Sequence, residues 1–375
     1  MDIKIDEIGP QYLLEVNDPK IQMKGFLVID NLAFGPGKGG IRMTHCVCLE
    51  EVFRLARAMT YKNALAGLPF GGAKAGIIWH GGDDNLKKQY IQSFAKLIKP
   101  LIPQKYIAGP DVNTGEKEMD WFTQATGSWG SATGKPVNLC VKKARSLEKK
   151  CGLPHELGST GFGVAQAVKT AAEMINLDIK NATVAIHGFG NVGTFTYHFL
   201  TKMGAKVVLV ADKSAALFAK NCFDHKIMGE LIQKKAEVCN YLGQAETIKL
   251  EDFWKVPVDI LIPASVTDVI NENNQNQIKA KIIVEAANIP MREKVESDLF
   301  KKGILIVPDI IANAGGVISS FAEHKGYNAP KMFAIIEKKI KKIVRTVLKE
   351  SLKKNENPRQ IALTLAKQKV LKKMG

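Results

Sequence analysis

The chain has 375 residues, 46% hydrophobic and 24% charged, with a formal net charge of +16 at pH 7. That length exceeds one compact core and predicts two domains. No apolar run reaches the roughly 18 residues a membrane helix needs, and MDIKIDEIGP lacks the apolar core of a secretory signal, so a soluble cytoplasmic protein without a membrane partner is expected.

In chain order, 23–30 (MKGFLVID) is the first expected strand, followed by a glycine-rich turn at 34–43 (FGPGKGGIRM) that holds Lys38. From 49 to about 68, Val52, Leu55, Ala56, Met59, Ala64 and Leu65 recur at helical spacing. Glu50 and Glu51 stand at that helix's N-terminal end, where its dipole favours carboxylates, and Lys62 lies near its end. Then come the glycine loop PFGGAKAG with Lys74, a strand at 75–80, a helix over 84–100 and a strand at 105–112 that delivers Asp111. Residues 135–157 are polar and irregular, as in a linker or hinge.

A second block opens with a helix over 160–175, beginning at Thr160. Residues 181–212 run strand, glycine turn, helix, strand, and apolar runs at 259–264, 281–287 and 304–309 alternate with polar helical stretches. Such alternation predicts an open parallel sheet with helices on both faces. In the lysine-rich tail, Ile336, Ile340, Ile343, Val344 and Val347 form the apolar stripe of a helix that docks by that face and leaves a solvated basic surface. Basic stripes attract phosphates. No nucleic-acid motif or aromatic stacking surface accompanies the charge, so no specific nucleic-acid partner is expected, and a basic nucleic-acid-binding protein on an inactive fold is the rival from another class.

The six cysteines are Cys46, Cys48, Cys140, Cys151, Cys222 and Cys239. They lack zinc-finger spacing even with His45 beside Cys46, so reduced, partly buried thiols are expected and no metal.

Gly188, Gly190 and Gly193 form a GxGxxG segment between a strand and a helix, and Asp212 ends the next strand. Gly188 permits the tight turn, Gly190 lets the backbone approach a pyrophosphate, and Gly193 allows close helix–strand packing. Asn191 and Val192 open the helix, whose unpaired N–H groups and positive dipole end face the phosphates. Asp212 lies where a carboxylate accepts ribose hydroxyls. It favours NAD, while Lys213 and Ser214 leave NADP open by offering partners to a 2′-phosphate.

Lys38, Lys62 and Lys74, with Asp111 after a strand, are the second signal. Clustered ammonium groups depress one another's pKa, which can leave one lysine neutral enough to act as a base while others clamp carboxylates.

These segments resemble the glutamate/leucine/phenylalanine/valine dehydrogenase family: GPGKGGIRM, MTYKNALAGLPFGGAK, GPDVNTG, STGFGV, GFGNVG, EAANIP and PDIIANAGGVISS stand in the family's order and approximate spacing. The resemblance implies that Lys74 activates water, that Asp111 is the acid/base at the amino nitrogen, and that Lys62 clamps the substrate α-carboxylate. It implies that Thr160 and Asn288 meet the nicotinamide half of NAD(P), and that Asn313 lies beside the substrate. Lys38 and Ser320 look like the pair that binds a side-chain carboxylate in the family's glutamate enzymes, whose leucine and phenylalanine counterparts are apolar there. One departure is Phe162, where the family often shows arginine. The resemblance thus implies reversible oxidative deamination of L-glutamate to 2-oxoglutarate and ammonium, with a branched-chain or aromatic amino-acid dehydrogenase as the alternative. It also implies a homo-oligomer, a hexamer by preference.

The expected fold is α/β: an αβ substrate-binding and catalytic domain over 1–150, a Rossmann-type doubly wound dinucleotide-binding domain over 151–315, and C-terminal helices over 316–375 returning to the first domain.

Overall fold

The computed structural model describes residues 3, 5–142, 149–154 and 157–375. The chain divides into two compact units, the first comprising Met1–Leu157, Val317–Ile335 and Leu363–Gly375, the second Gly158–Gly316 and Ile336–Ala362.

The first unit contains β1 (Tyr12–Asp18), β2 (Met23–Asn31), β3 (Gly37–Lys38), β4 (Ile41–Thr44), α1 (Leu49–Leu65), β5 (Gly71–Ile78), α2 (Asp84–Leu97), β6 (Tyr106–Ile107), α3 (Glu116–Thr126), β7 (Cys140–Lys142) and β8 (Lys149–Cys151). Its main sheet runs β1-β2-β5-β3-β6, with β4 also paired to β5. β2 is antiparallel to β1 and β5, whereas β3 and β4 run parallel to β5. β2 is buried almost throughout because both its faces are covered. Phe26 and Val28 pack with Val52 and Ala56 of α1, while Leu27 and Ile29 join the core that holds Phe94 and Phe122. Each such side chain contributes roughly 1.5–3 kcal/mol on burial. Asp83 caps α2 by accepting the Leu86 N–H, and Gly127, at φ +71°, ends α3.

The expected loop PFGGAKAG is a strand for most of its length, since β5 begins at Gly71 and places Lys74 in its interior. The glycines there serve close packing: a Cβ on Gly72 would lie 2.0 Å from Thr60 Oγ1 of α1, and one on Gly71 would lie 1.8 Å from the Asn31 carbonyl. The described part of the 135–157 stretch is also more regular than expected. β7 and β8 pair antiparallel, and Cys140 and Cys151 form a disulfide, which corrects the expectation of reduced thiols throughout. The remainder of that stretch at 143–148 and 155–156 lies outside the described residues.

The second unit contains α4 (Ser159–Met174), β9 (Thr183–His187), α5 (Asn191–Lys202), β10 (Lys206–Ala211), β11 (Ala216–Phe218), α6 (His225–Gln233), β12 (Glu246–Ile248), β13 (Ile260–Pro263), β14 (Ile282–Val284), α7 (Glu293–Lys301), β15 (Leu305–Val307) and α8 (Asp309–Ala312). Its sheet order is β12-β11-β10-β9-β13-β14-β15. β10, β9, β13, β14 and β15 are mutually parallel, and β11 and β12 extend the β10 edge antiparallel. The chain leaves β9 to one side for β10 and returns to its other side for β13, so the topological switch point lies between β9 and β13, where open α/β sheets bind ligands.

Three helices complete the chain: α9 (Gly315–His324), α10 (Ala329–Lys354) and α11 (Pro358–Met374). The tail does not return wholly to the first domain, because 336–362 belong to the second unit. The physical reason is the apolar stripe: Ile336, Ile340, Ile343, Val344 and Val347 are all buried, whereas Val370, further on, packs with Ile8 and Ala64 of the first unit.

Candidate active site

In the second unit the three glycines divide their roles as the chemistry requires. Gly188 has φ +103°, a left-handed conformation, and a Cβ there would press on the Ser265 backbone at 2.5 Å. A Cβ on Gly193 would lie 2.0 Å from the Gly188 carbonyl, so only glycine lets α5 approach β9 this closely. A Cβ on Gly190 would meet nothing within 4 Å. Packing therefore explains two of the glycines, and the third leaves open space at the N-terminus of α5, where Asn191 is exposed and Val192 half-buried. That space, with the free N–H groups of a helix start, fits a pyrophosphate.

The Asp212 carboxylate is more engaged than expected. Its Oδ1 accepts the Ser214 N–H at 2.7 Å, the Ser214 hydroxyl at 2.5 Å and the Ala215 N–H at 3.3 Å, and its Oδ2 accepts the Val238 N–H at 2.9 Å. Burial works against its ionisation, but these hydrogen bonds prevail and hold its pKa below the usual value. Only Oδ2 retains capacity for a ribose hydroxyl. Of the residues that kept NADP open, Ser214 is tied to Asp212, and Lys213 pairs with Glu237 at 3.0 Å.

Thr160 stands in the first turn of α4, half-buried. Gly315 packs against that turn, since a Cβ on it would lie 2.2 Å from the Ser159 carbonyl and 3.2 Å from Thr160 Cα. Asn313, directly after α8, donates through Nδ2 to Asn288 Oδ1 at 3.0 Å and to the Ala286 carbonyl at 3.2 Å. The structure thus brings Asn288 and Asn313 into one hydrogen-bonded pair. Phe162 faces Phe199 with ring centroids 4.9 Å apart and fills the α4–α5 contact, a packing role in place of the arginine's charge.

In the first unit, β3 pairs in parallel with β5 so that Lys38 stands opposite Gly72. Side chains alternate along a strand, so Lys74, two residues beyond Gly72, shares the face of Lys38. Lys38 is 3% exposed and donates to the Ala108 carbonyl at 2.9 Å. Burial is the main cause that pushes its pKa down to about 7; Glu323 opposes this, and Lys74 and Lys135 add to it. A Cβ on Gly109 would lie 2.4 Å from Lys38 Nζ, so the glycine of GPDVNTG makes room for this ammonium. Lys62 lies half-buried in the last turn of α1, which Thr60 and Gly72 seat on β5.

Lys74 Nζ bonds Asp111 Oδ2. Asp111 Oδ1 also accepts from Arg42 Nε at 3.1 Å and from the Val112 N–H at 2.6 Å. Burial alone would raise the Asp111 pKa, but the charges of Lys74 and Arg42 overcome it and hold the carboxyl well below the usual range. Arg42, unremarked in the sequence although it stands in GPGKGGIRM, also pairs with Glu51 of α1 at 2.5 Å.

Ser320 is buried on α9, and Glu323, one turn later, lies on the same helix face. Glu323 was also missed. Its carboxylate pairs with buried Lys135 at 2.6 Å and accepts the Gly134 and Leu153 N–H groups at 2.8 and 2.9 Å. Glu323 also favours the charged form of Lys38, and Ser320 stands one turn before it on α9.

One unit holding a buried lysine–aspartate pair among further lysines, and another holding a dinucleotide fingerprint at a sheet switch point, define a nucleotide-dependent amino-acid dehydrogenase. The sequence profile described as "Glutamate/Leucine/Phenylalanine/Valine dehydrogenase" matches residues 152–375, and its "Glu/Leu/Phe/Val dehydrogenase, dimerisation domain" counterpart matches residues 10–128. The chain belongs to this family and is an NAD(P)-dependent oxidoreductase. It is 36% identical to the NAD-specific glutamate dehydrogenase of Clostridioides difficile, over 83% of this chain and 74% of that one. It is 37% identical to the NADP-specific glutamate dehydrogenase of Saccharolobus shibatae, over 78% of this chain and 69% of that one. The crystal structure of glutamate dehydrogenase from Peptoniphilus asaccharolyticus superposes with a TM-score of 0.82 at 27% identity, covering 97% of this chain and 91% of that one. Among the described residues no helix is long and apolar enough to cross a membrane.

Proposed function

We propose that the chain catalyses the reversible oxidative deamination of L-glutamate to 2-oxoglutarate and ammonium with NAD(P). The carrying observation is the bond between Lys74 and Asp111 on the face shared with buried Lys38. The names of the similar enzymes, NAD-specific and NADP-specific glutamate dehydrogenase, support both the substrate and the cofactor.

When bound, the dinucleotide supplies the acceptor for the hydride that leaves the substrate α-carbon. Gly188, Gly190 and Gly193 with the start of α5 hold its pyrophosphate, and Thr160, Asn288 and Asn313 orient its nicotinamide half and the adjacent substrate. Lys62 holds the α-carboxylate, and Lys38 with Ser320 holds the side-chain carboxylate. Lys74, once its own proton has passed to Asp111, takes one from the water that adds to the imine carbon. Asp111 delivers its proton to the nitrogen, which departs as ammonia, and the proton left on the hydroxyl is taken up by the pair as the carbon becomes the ketone. The Lys74–Asp111 bond gives that proton a direct route between the two groups.

An aliphatic side chain would offer the buried Lys38 ammonium no counter-charge beyond its bond to the Ala108 carbonyl, so its charged form would stay penalised by burial. A dicarboxylate removes that cost. NAD is favoured over NADP because Ser214 and Lys213 are engaged with Asp212 and Glu237. A cytoplasmic homo-hexamer completes the proposal. The test is NADH consumption in ammonium with either 2-oxoglutarate or 4-methyl-2-oxopentanoate, repeated with NADPH. A higher kcat/KM for 2-oxoglutarate is expected, and faster turnover of the branched acid would overturn the assignment of glutamate.

A further inference from the structure

Arg359, in the first turn of α11, bonds three carboxylates at once: Glu296 Oε2 through Nε, Asp309 Oδ1 through Nη1 at 2.8 Å, and Glu285 Oε2 through Nη2. All three carboxylate residues are buried, and burial raises the pKa of both Glu285 and Glu296 against the pull of Arg359. Such a cluster is a poor device for stability, because desolvating several charges costs as much as their attraction returns. What it does provide is position. Asp309 opens α8, its own N–H donates to Glu285 Oε2 at 2.7 Å, and its Oδ2 accepts the Ile289 N–H at 3.0 Å.

Ile289 has φ +48°, a left-handed conformation that a β-branched residue adopts only when its surroundings impose it. Asn288 precedes it, and Asn313 follows α8 directly. The two asparagines are bonded to each other at 3.0 Å. Each therefore sits on backbone that Asp309 anchors, Asn288 through the Ile289 N–H and Asn313 through the helix Asp309 begins. Arg359 in turn fixes Asp309.

We propose that Arg359 is a positioning residue that sets the Asn288–Asn313 pair for the nicotinamide half of the cofactor, an inference that rests on the reading of Asn288 given above. Lysine cannot replace it, since one ammonium lacks the planar fork that reaches three acceptors in fixed directions. Loss of the fork would shift the asparagine pair while leaving the pyrophosphate cradle at Gly188–Gly193 in place. Turnover should therefore suffer and dinucleotide affinity should not.

The experiment is a mutant cycle on the full chain with Arg359→Lys, Asn288→Ala and the double variant, reading kcat, the NADH dissociation constant and the thermal midpoint. Arg359→Lys is expected to lower kcat by about 10- to 100-fold, the scale of a misplacement near 1 Å, with the NADH dissociation constant within threefold of the parent. The double variant is expected to lose no more than the worse single variant, since both act through one contact. Losses that multiply in the double variant would overturn the inference while leaving the Asn288 assignment standing. Parental turnover in Asn288→Ala would instead remove that assignment, and the role of Arg359 with it. Should Arg359→Lys fail to fold, Asp309→Asn takes its place in the cycle: its amide oxygen still accepts the Ile289 N–H, but the charge facing Arg359 is gone.

Discussion

Lys74 and Asp111 come from different elements, the interior of β5 and the loop after β6, and meet in a hydrogen-bonded ion pair. The pairing is held from both sides. Arg42 engages the second oxygen of Asp111, and the backbone N–H of Asp111 donates to Thr114 Oγ1 at 2.8 Å. A lysine with a carboxylate already in place needs no rearrangement before a proton passes between them, and such preorganisation is what acid–base catalysis uses.

Lys38 should make substrate affinity depend on pH. Its pKa in the folded protein is about 7, below the ordinary lysine value of 10.5, so it is neutral over the alkaline range in the free protein. A side-chain carboxylate needs the cation. KM for 2-oxoglutarate is therefore expected to rise above about pH 7, by up to tenfold per unit, and Lys38→Met should remove that slope along with much of the affinity. Stability has the opposite trend. The unfolded chain binds the proton more tightly, so the penalty of burying Lys38 is full below pH 7 and is relieved toward 10.5 by about 1.4 kcal/mol per unit. Denaturant midpoints of parent and Lys38→Met across that range check the second trend, and KM profiles check the first.

The glycines of the fingerprint should separate into structural and ligand-facing positions. Gly190→Ala adds a methyl to open space at φ −86°, so its thermal midpoint should match the parent while NADH affinity falls about tenfold or more. Gly193→Ala drives a methyl into the Gly188 carbonyl and should lose about 1–3 kcal/mol of stability, as overpacking does. Calorimetry with NADH titration distinguishes the two. Equal loss of stability in both variants would contradict an open cradle.

The Cys140–Cys151 disulfide predicts four free thiols in the folded protein before reduction, Cys46, Cys48, Cys222 and Cys239. Thiol titration should rise by two after reductant, and stability should fall by about 2–3 kcal/mol, with a lower thermal midpoint, as the constraint on the unfolded chain between the two cysteines is lost. The same titration before reduction and an unchanged midpoint in Cys140→Ser would contradict a stabilising bridge.

Much of this was legible from sequence because it is local. The apolar periodicity of α1 and α10 and the GxGxxG segment each carry their signal within a few residues, whereas the strand expected over 105–112 is only Tyr106–Ile107 and leaves Asp111 in the loop after it. What was hidden depends on distant partners. GGAKAG reads as a turn because glycine favours turns, yet Gly72 is small so that α1 can lie on β5, and Gly71 so that the Asn31 carbonyl can approach. Asp212 is expected from its spacing to accept ribose hydroxyls, but its oxygens are shared with Ser214, Ala215 and Val238. Arg42, Glu323 and Arg359 each act across the fold, on partners 69, 188 and 50 residues away in Asp111, Lys135 and Asp309. No single-chain periodicity reports such distances.

The most direct test of the central claim is single-turnover kinetics of Lys74→Ala and Asp111→Asn beside the parent, with the NADH dissociation constant measured on each. Proton transfer through this pair predicts a fall in turnover of about 100- to 10,000-fold in either variant, with NADH binding within threefold of the parent. Turnover within tenfold of the parent in either variant, with the fold intact, would contradict it.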